Sequence, residues 1–294
     1  NHLAIDNPDT DLVVTDLKGY WALNEGDGLV AYDSGSTLEE DVVQNGDFSE
    51  LGVEEVTNGD FSDGATGWSF TNASLNLGGV EINNVGLSNA NAYISTLSAG
   101  VLDNWYKLTY DILETNGETL TLDQGSNINL DTSTIGVDRV LYFKCGRTDS
   151  KVIIKRVGAE TKVTIDNISV KQVDPNDEWN LGTGWSYGDD KAVSDGGATA
   201  IQQDALLTID STYQITATVT GNPSLLVFNS ASFYESLSLR TLSNGTNTYI
   251  LKAKSINFGI TNAGADTCDI TNISVTEVDP NNRWNVGTGW TIGD

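Results

Sequence analysis

The sequence has almost no histidine, the side chain on which many catalytic and metal sites depend. His2 is its only histidine, so histidine-based triads and histidine-rich metal sites are excluded. The glycine-rich stretches are turns, and none forms a phosphate-binding loop or a dinucleotide-binding turn. Carboxylate pairs are inevitable among 41 acidic residues, but no spacing singles out a pair for glycoside hydrolysis. The sequence therefore predicts a protein that is not an enzyme.

Basic residues are also scarce. The chain has 15 lysines and arginines against 41 aspartates and glutamates, a net charge of −26. Such a surface repels phosphate, which excludes nucleic acid as a partner, and it repels anionic membranes. No apolar run approaches the roughly 18 residues of a membrane span and no signal peptide is evident, so we expect no membrane insertion. This acidity fits a virion or secreted protein, or one that meets divalent cations or high salt.

Methionine is absent, and there are two cysteines. Cys145 and Cys268 each lie in phase with the apolar residues of an alternating stretch. We therefore predict that both cysteines are small, buried hydrophobic side chains, with a disulfide between domains as the alternative. Because no start methionine is represented and a repeat that begins at residue 279 stops at 294, we expect these residues to be a portion of a longer polypeptide.

A long internal repeat organises the chain. Residues 174–185 return as 279–290, and residues 165–170 return as 270–275, each time 105 positions later. A period held across a strand and the following turn indicates tandem modules of domain size. The prediction is an N-terminal arm or assembly segment (1–55), two modules (56–173 and 174–278) and the start of a third (279–294).

Alternating hydrophobicity predicts the fold class. Residues 106–112 and 213–219 alternate apolar and polar side chains, as half-buried strands do. Turn signals separate many such stretches, and no apolar pattern at helical spacing persists for three turns. The sequence predicts an all-β chain of tandem jelly-roll β-sandwich domains preceded by an extended N-terminal arm.

The last predicted strand of each module, which we call its closing strand, includes residues 165–170 in the first module and 270–275 in the second. Along each closing strand, the apolar side chains change from one face to the other. Val163 and Ile165 share one face, whereas Ile168 and Val170 have the opposite phase, and the second module repeats this change. An extra residue in the strand explains such a change, so we predict β-bulges near residues 166–167 and 271–272. Coverage of both faces is the alternative.

Two near-copies of a short motif occur near the start of the first module, one before it and one at its opening. Residues 45–50 read Asn-Gly-Asp-Phe-Ser-Glu, and residues 58–63 read Asn-Gly-Asp-Phe-Ser-Asp, 13 positions later. With the Gly-Trp at 67–68 and the closing strand at 166–170, the second copy resembles the family 4/9 type of carbohydrate-binding module, a galactose-binding-like jelly roll. In the second module, the Glu-Trp-Asn at 178–180 is interpreted as a replacement for this opening.

Residues 19–34 resemble the first strand and turn of laminin-G-like domains. Tandem arrays with such openings also resemble the tail-fibre and virion-surface proteins of bacteriophages. The resemblance implies contact with other virion subunits or with copies of the same chain, and it makes cell-surface glycans candidate ligands.

The resemblance also implies a structural calcium ion between the opening turn and the closing strand. The matching positions are Asp60 and Asp63 in the turn and Asp166 in the strand, and oxygen ligands of this kind suit calcium. Thr271 stands where the second module would need the equivalent of Asp166. Turn capping by Asp and Asn explains the same residues, and no cofactor is required.

Aromatic residues give two kinds of expectation. Trp68, Trp185 and Trp290 are predicted to pack in module cores, and Trp179 and Trp284 to wedge between neighbouring domains. A sugar platform needs an exposed ring instead. Tyr106 is one of the alternating apolar residues that are predicted to face the core, so its neighbour Trp105 should face outward. Trp105 is therefore our candidate platform, with Tyr93 and Tyr142 beside it.

The sequence thus favours a non-enzymatic structural and adhesive virion protein, a phage fibre or head-surface component located on the virion surface. A secreted bacterial tandem of carbohydrate-binding modules, or a cell-surface adhesin, is the alternative.

Overall fold

The computed structural model describes residues 40–87, 92–96 and 100–278. Most of the predicted arm, its laminin-G-like stretch and the start of the third repeat, with Trp284 and Trp290, lie outside these residues. Within them the chain forms strands and a single 3-10 turn, Leu237–Leu239. None of the described segments is a helix of the length and apolarity that a bilayer span requires.

The first sandwich consists of two antiparallel sheets. One sheet has, in spatial order, β3 (Ala73–Asn76), β4 (Gly79–Asn83), β11 (Lys162–Val173), β6 (Trp105–Thr115) and β9 (Gly136–Lys144), and β1 (Leu51–Glu54) also pairs with β11. The other has β2 (Trp68–Thr71), β5 (Tyr93–Thr96), β10 (Ile153–Arg156), β7 (Leu120–Asp123) and β8 (Asn127–Asn129).

The second sandwich repeats this strand order. One sheet has β13 (Trp185–Gly188), β14 (Lys191–Ser194), β21 (Cys268–Val278), β16 (Thr212–Gly221) and β19 (Gly245–Lys252). The other has β12 (Asn180–Leu181), β15 (Ala200–Gln203), β20 (Phe258–Asn262), β17 (Leu226–Phe228) and β18 (Thr241–Leu242). The predicted all-β jelly-roll architecture is confirmed.

Each sandwich has its own core, filled by the inward residues of alternating strands. In β6, Tyr106, Leu108 and Ile112 are at most 1% exposed, and the alternate side chains of this strand point away from the core. Cys145 and Cys268 are free and buried, as the alternation predicted.

Both predicted β-bulges are present. Along β11, the two residues between Asp166 and Ser169 face a single residue of β6, and the same shift occurs in β21 between Thr271 and Ser274. Asn167 and Asn272 occupy these places with φ of 49° and 50°. An extra residue explains how one strand presents apolar side chains of opposite parity to a single core.

The two Asn-Gly-Asp-Phe motifs form the same turn, and we call residues 45–48 the remote turn and residues 58–61 the local turn. The backbone φ angle is 47° at Asn45 and 56° at Asn58, and it is 60° at Phe48 and 50° at Phe61. A positive φ is unusual at phenylalanine. Its presence in both turns shows that they are two copies of one structural unit.

The local turn docks on the first sandwich, and the remote turn docks on the second. The N–H of Ile168 donates to the Gly59 carbonyl, and the N–H of Ile273 donates to the Gly46 carbonyl, both at 2.9 Å. Phe48 is 2% exposed and belongs to the core of the second sandwich. Each turn therefore covers the bulge of a different closing strand.

This arrangement differs from the sequence interpretation in two respects. Residues 40–50, assigned to an assembly arm, pack on the second sandwich of the same chain. The second sandwich also has an Asn-Gly-Asp-Phe opening, supplied from a position before the first sandwich, so residues 178–180 do not replace it. The physical reason is that a docking contact depends on proximity in space and not on sequence order.

Trp179 packs inside the second sandwich, whereas the sequence predicted a wedge between neighbouring domains. It is 3% exposed in the second core, its indole N–H donates to the Asn45 carbonyl at 2.9 Å, and its ring centroid lies 5.0 Å from that of Phe48. Trp68 makes the matching contacts, with Asn58 at 3.1 Å and Phe61 at 5.3 Å. Trp179 is thus the spatial counterpart of Trp68.

Trp185, which the sequence pattern equates with Trp68, is buried at the start of β13. The matching strand of the first sandwich is β3, which begins at Ala73. The Trp185 indole donates to the Thr199 carbonyl at 2.7 Å. Sequence alignment of the two modules therefore places these tryptophans one strand out of phase.

Candidate ligand-binding cleft between the sandwiches

The outward face of β6 and β9 contacts the second sandwich. Lys107 Nζ lies 2.7 Å from Asp189 Oδ1, and the Tyr142 hydroxyl donates to the same oxygen at 3.1 Å. The ring of Trp105 meets that of Tyr187 edge to face, with centroids 5.8 Å apart. The hydrogen bond from Lys107 holds the pKa of Asp189 below its usual range. These contacts fix one sandwich against the other.

Asp174 organises the chain where it passes from one sandwich to the next. Its carboxylate is buried, with 4% of the residue exposed. It accepts hydrogen bonds from the Asn45 amide at 3.0 Å, the Trp179 N–H at 2.8 Å and the Tyr187 hydroxyl at 2.9 Å. Burial and this neighbouring carboxylate raise the pKa of Tyr187. Three donors satisfy the buried charge and join the remote turn to the junction.

A cleft of about 520 Å³ lies at this junction. This volume is within the roughly 300–1,000 Å³ of small-molecule sites. The half-buried side chain of Trp105 lines the cleft together with Trp179 and Tyr187. The first sandwich and the linker contribute Asn104 and Gln172, and the second sandwich contributes Asn180 and Gln202.

Several polar groups of the cleft have unused hydrogen-bonding capacity. The side-chain amides of Asn104, Gln172 and Asn180 make no hydrogen bond to any other described residue. Gln202 donates to Asp204 at 3.1 Å, which leaves its carbonyl oxygen free. Amides that both donate and accept beside an indole ring can bind a polyhydroxylated ligand.

The electrostatic character of the cleft is acidic. Asp103, Asp177, Glu178 and Asp204 line it together with a single cation, Lys144, which lies 3.4 Å from Asp103. Partial burial, followed by the nearby carboxylates of Asp174 and Glu50, raises the pKa of Glu178. This charge disfavours anionic ligands.

The structure separates the three residues suggested as a sugar platform. Trp105 faces outward from the first sandwich and lines the cleft, whereas Tyr142 is engaged with Asp189 at the junction. Tyr93 lies on β5 in the opposite sheet. Asp174 and Gln172 were missed, although the repetition of Asp174 at position 279 was a sequence signal that could have drawn attention to the linker.

The residues suggested as calcium ligands do not gather into a full site. Within residues 40–87, 92–96 and 100–278, no group of three His, Cys, Asp or Glu side chains could hold a metal ion. Asp60 accepts a hydrogen bond from Ser62, and Asp63 is exposed. Asp166 Oδ1, however, is buried without a hydrogen-bond partner in the described structure. That oxygen fits a cation, and calcium stays a prediction.

Asp166 provides a test that separates a metal ligand from a turn residue. Burial, and then the Asp111 and Asp60 carboxylates, raise its pKa. The folded state therefore binds the proton more tightly, and stability falls as pH rises above the ordinary range of an aspartate. In the presence of a chelator, Asp166→Asn is expected to raise the melting temperature, by an increment that grows as the pH rises above about 4.

The effect of added calcium shows whether Asp166 is a metal ligand or only a turn residue. If it is a ligand, calcium stabilises the wild-type chain and not Asp166→Asn, so the order of the two melting temperatures reverses. Unchanged wild-type melting in calcium would contradict the metal site. Asp266→Asn, at an exposed position of the second sandwich that is not among the candidate ligands, is the matched control.

Comparison with known proteins gives a weak set of structural likenesses. No family model and no curated protein matches the chain. A tandem of two CBM22 domains from Paenibacillus barcinonensis Xyn10C is 7% identical with a TM-score of 0.30, covering 78% of this chain and 98% of that one. A Sulfolobus turreted icosahedral virus structure is 13% identical with a TM-score of 0.19, covering 72% and 60%.

A structure of the triple jelly-roll fold and turret assembly of an archaeal virus is 14% identical with a TM-score of 0.20, covering 78% of this chain and 60% of that one. The chain therefore spans about three fifths of each viral protein. Identities and TM-scores this low assign neither a family nor a function.

Proposed function

We propose that the chain is a non-enzymatic structural and adhesive protein of a virion surface, in a phage fibre or head-surface component. Its two sandwiches are held together by the ion pair between Lys107 and Asp189 and by the Trp105–Tyr187 contact. The remote turn also joins them, because it packs on the second sandwich and continues directly into β1 of the first. These three contacts restrict rotation of one sandwich relative to the other, which suits a rigid surface element. The acidic surface suits solubility of a repeated array.

The adhesive part of this proposal rests on the cleft between the sandwiches. Trp105 offers an aromatic surface. The side-chain amides of Asn104, Gln172 and Asn180, which make no hydrogen bond to any described residue, offer donors and acceptors in the same cleft. Acidic neighbours favour uncharged glycans over sialylated or uronic ones. Repetition of such modules would raise avidity without a strong single site.

The alternative function is a secreted bacterial tandem of carbohydrate-binding modules or a cell-surface adhesin. The same cleft and the resemblance of residues 58–68 and 166–170 to family 4/9 modules support it. Location separates the two functions. Antibody labelling of intact particles supports the virion role, and recovery of the protein only from culture medium or cell surfaces supports the alternative.

Binding to a glycan array, followed by titration of the best neutral ligand, tests the cleft. Trp105→Ala is expected to weaken binding about tenfold or more, which corresponds to about 1.4 kcal/mol. Because Trp105 also contacts Tyr187, its loss could disturb the junction. Asn180→Ala, at an exposed amide of the same cleft, is expected to weaken binding without lowering the melting temperature.

Tyr234→Ala is the matched control, since this tyrosine is 53% exposed and does not line the cleft. Unchanged affinity in both cleft variants, or a preference for anionic glycans, would rule out the cleft as the binding site.

A further inference from the structure

The remote turn belongs to a longer segment, residues 41–48, that runs beside β21. We call it the opening segment. The Val42 N–H donates to the Val275 carbonyl at 2.9 Å, and the Asp41 carboxylate accepts from the Val275 N–H at 2.8 Å. Gln44 and Gln203 exchange two bonds, and Val43 and Phe48 are buried. The opening segment thus lies along β21 as an irregular segment, held by backbone and side-chain hydrogen bonds and by two buried apolar side chains.

The first sandwich binds its own opening residues in the same register. Glu55 N–H donates to the Val170 carbonyl at 2.9 Å. Val42 and Glu55 are 13 positions apart, as are the two turns, whereas Val275 and Val170 are 105 apart. One type of segment and one type of acceptor therefore occur twice, but segment and acceptor follow different sequence periods.

Attachment to the rest of the chain differs between the two copies. The local turn is followed closely by β2, which begins at Trp68 and pairs within the first sandwich. The opening segment instead docks on the second sandwich, although only residues 49–50 separate it from β1, which pairs with β11 of the first sandwich. Its place could be taken by the identical segment of another molecule without unpairing any strand of either sandwich.

We propose that the groove beside β21 accepts the opening segment of a second copy of this chain, so that copies are linked by exchange of residues 41–48. Such exchange recreates the contacts that residues 41–48 make with the second sandwich, and the short connection at residues 49–50 requires the two copies to lie close together. This inference rests on the proposed structural role, for which it specifies the contact between copies.

Variants of the full chain that each carry one added cysteine test the exchange. The Thr271 hydroxyl donates to the Asp47 carbonyl at 3.4 Å, near the surface. Copies with Asp47→Cys are mixed with differently tagged copies with Thr271→Cys, incubated at increasing concentration and treated with a short bismaleimide. A mixed dimer that grows with protein concentration is expected. Adding Gly46→Ala to the donor should abolish it, because a Cβ there would overlap the Ile273 carbonyl.

The matched control uses Asp60→Cys and Asp166→Cys, which hold the equivalent positions in the first sandwich. This pair should give only the background of the wild-type chain, whose thiols are buried. No mixed dimer from the Asp47→Cys and Thr271→Cys pair, or equal amounts from both pairs, would overturn the exchange. Glycan binding at the cleft does not require exchange, so the array experiment can succeed where this one fails.

Discussion

Replacing Phe48 with alanine is expected to destabilise the second sandwich by about 3–5 kcal/mol, the usual cost of removing a buried phenylalanine. Phe48 is 2% exposed and packs against Trp179 and Tyr187, with ring centroids 5.0 Å and 6.3 Å away. The variant should lower the denaturant midpoint of that sandwich while the first sandwich keeps its own. Chemical unfolding followed by fluorescence and by hydrogen exchange of β21 measures the change.

This variant tests the structure against the sequence interpretation, which assigns residue 48 to an N-terminal arm and not to the second sandwich. Phe61→Ala is the matched comparison and should destabilise the first sandwich instead. Tyr234→Ala, at an exposed ring, should leave both transitions near their wild-type positions. An unaltered second transition in Phe48→Ala would show that the remote turn does not belong to that core.

Gly59→Ala is expected to cost about 2–4 kcal/mol through overpacking and a lost backbone hydrogen bond. A Cβ at this position would overlap the carbonyl oxygen of Ile168 and approach its carbon to 2.8 Å. Backbone atoms of a paired strand cannot move aside as a flexible side chain does. The turn would therefore lift from the bulge and take Phe61 partly out of the core, which urea unfolding would detect.

Gly52→Ala is the control, because its Cβ would meet the nearest atom, the Gln172 Cβ, at 3.4 Å, an ordinary contact. Its stability should remain near wild type. Gly46→Ala should behave as Gly59→Ala does, but in the second sandwich. Equal stability of Gly59→Ala and Gly52→Ala would contradict the close approach between turn and bulge.

Local features of the fold were predictable because they depend on neighbouring residues. Alternation along residues 106–112 gave the strand and its buried face, and the parity change between Ile165 and Ile168 gave the bulge. The outward direction of Trp105 followed from the same alternation. The contact of Trp105 with the second sandwich could not be predicted in this way, because no local sequence pattern indicates how two sandwiches pack together.

The sequence by itself determined strands, turns and the existence of two matching units, since alternation, Asn-Gly turns and a 105-residue period are written in order along the chain. Only the tertiary structure decided which sandwich each turn completes and where Trp105 and Asp174 meet. The two turns share one motif, so local chemistry cannot assign them. Contacts between segments far apart in sequence, such as Phe48 with Trp179, make that assignment.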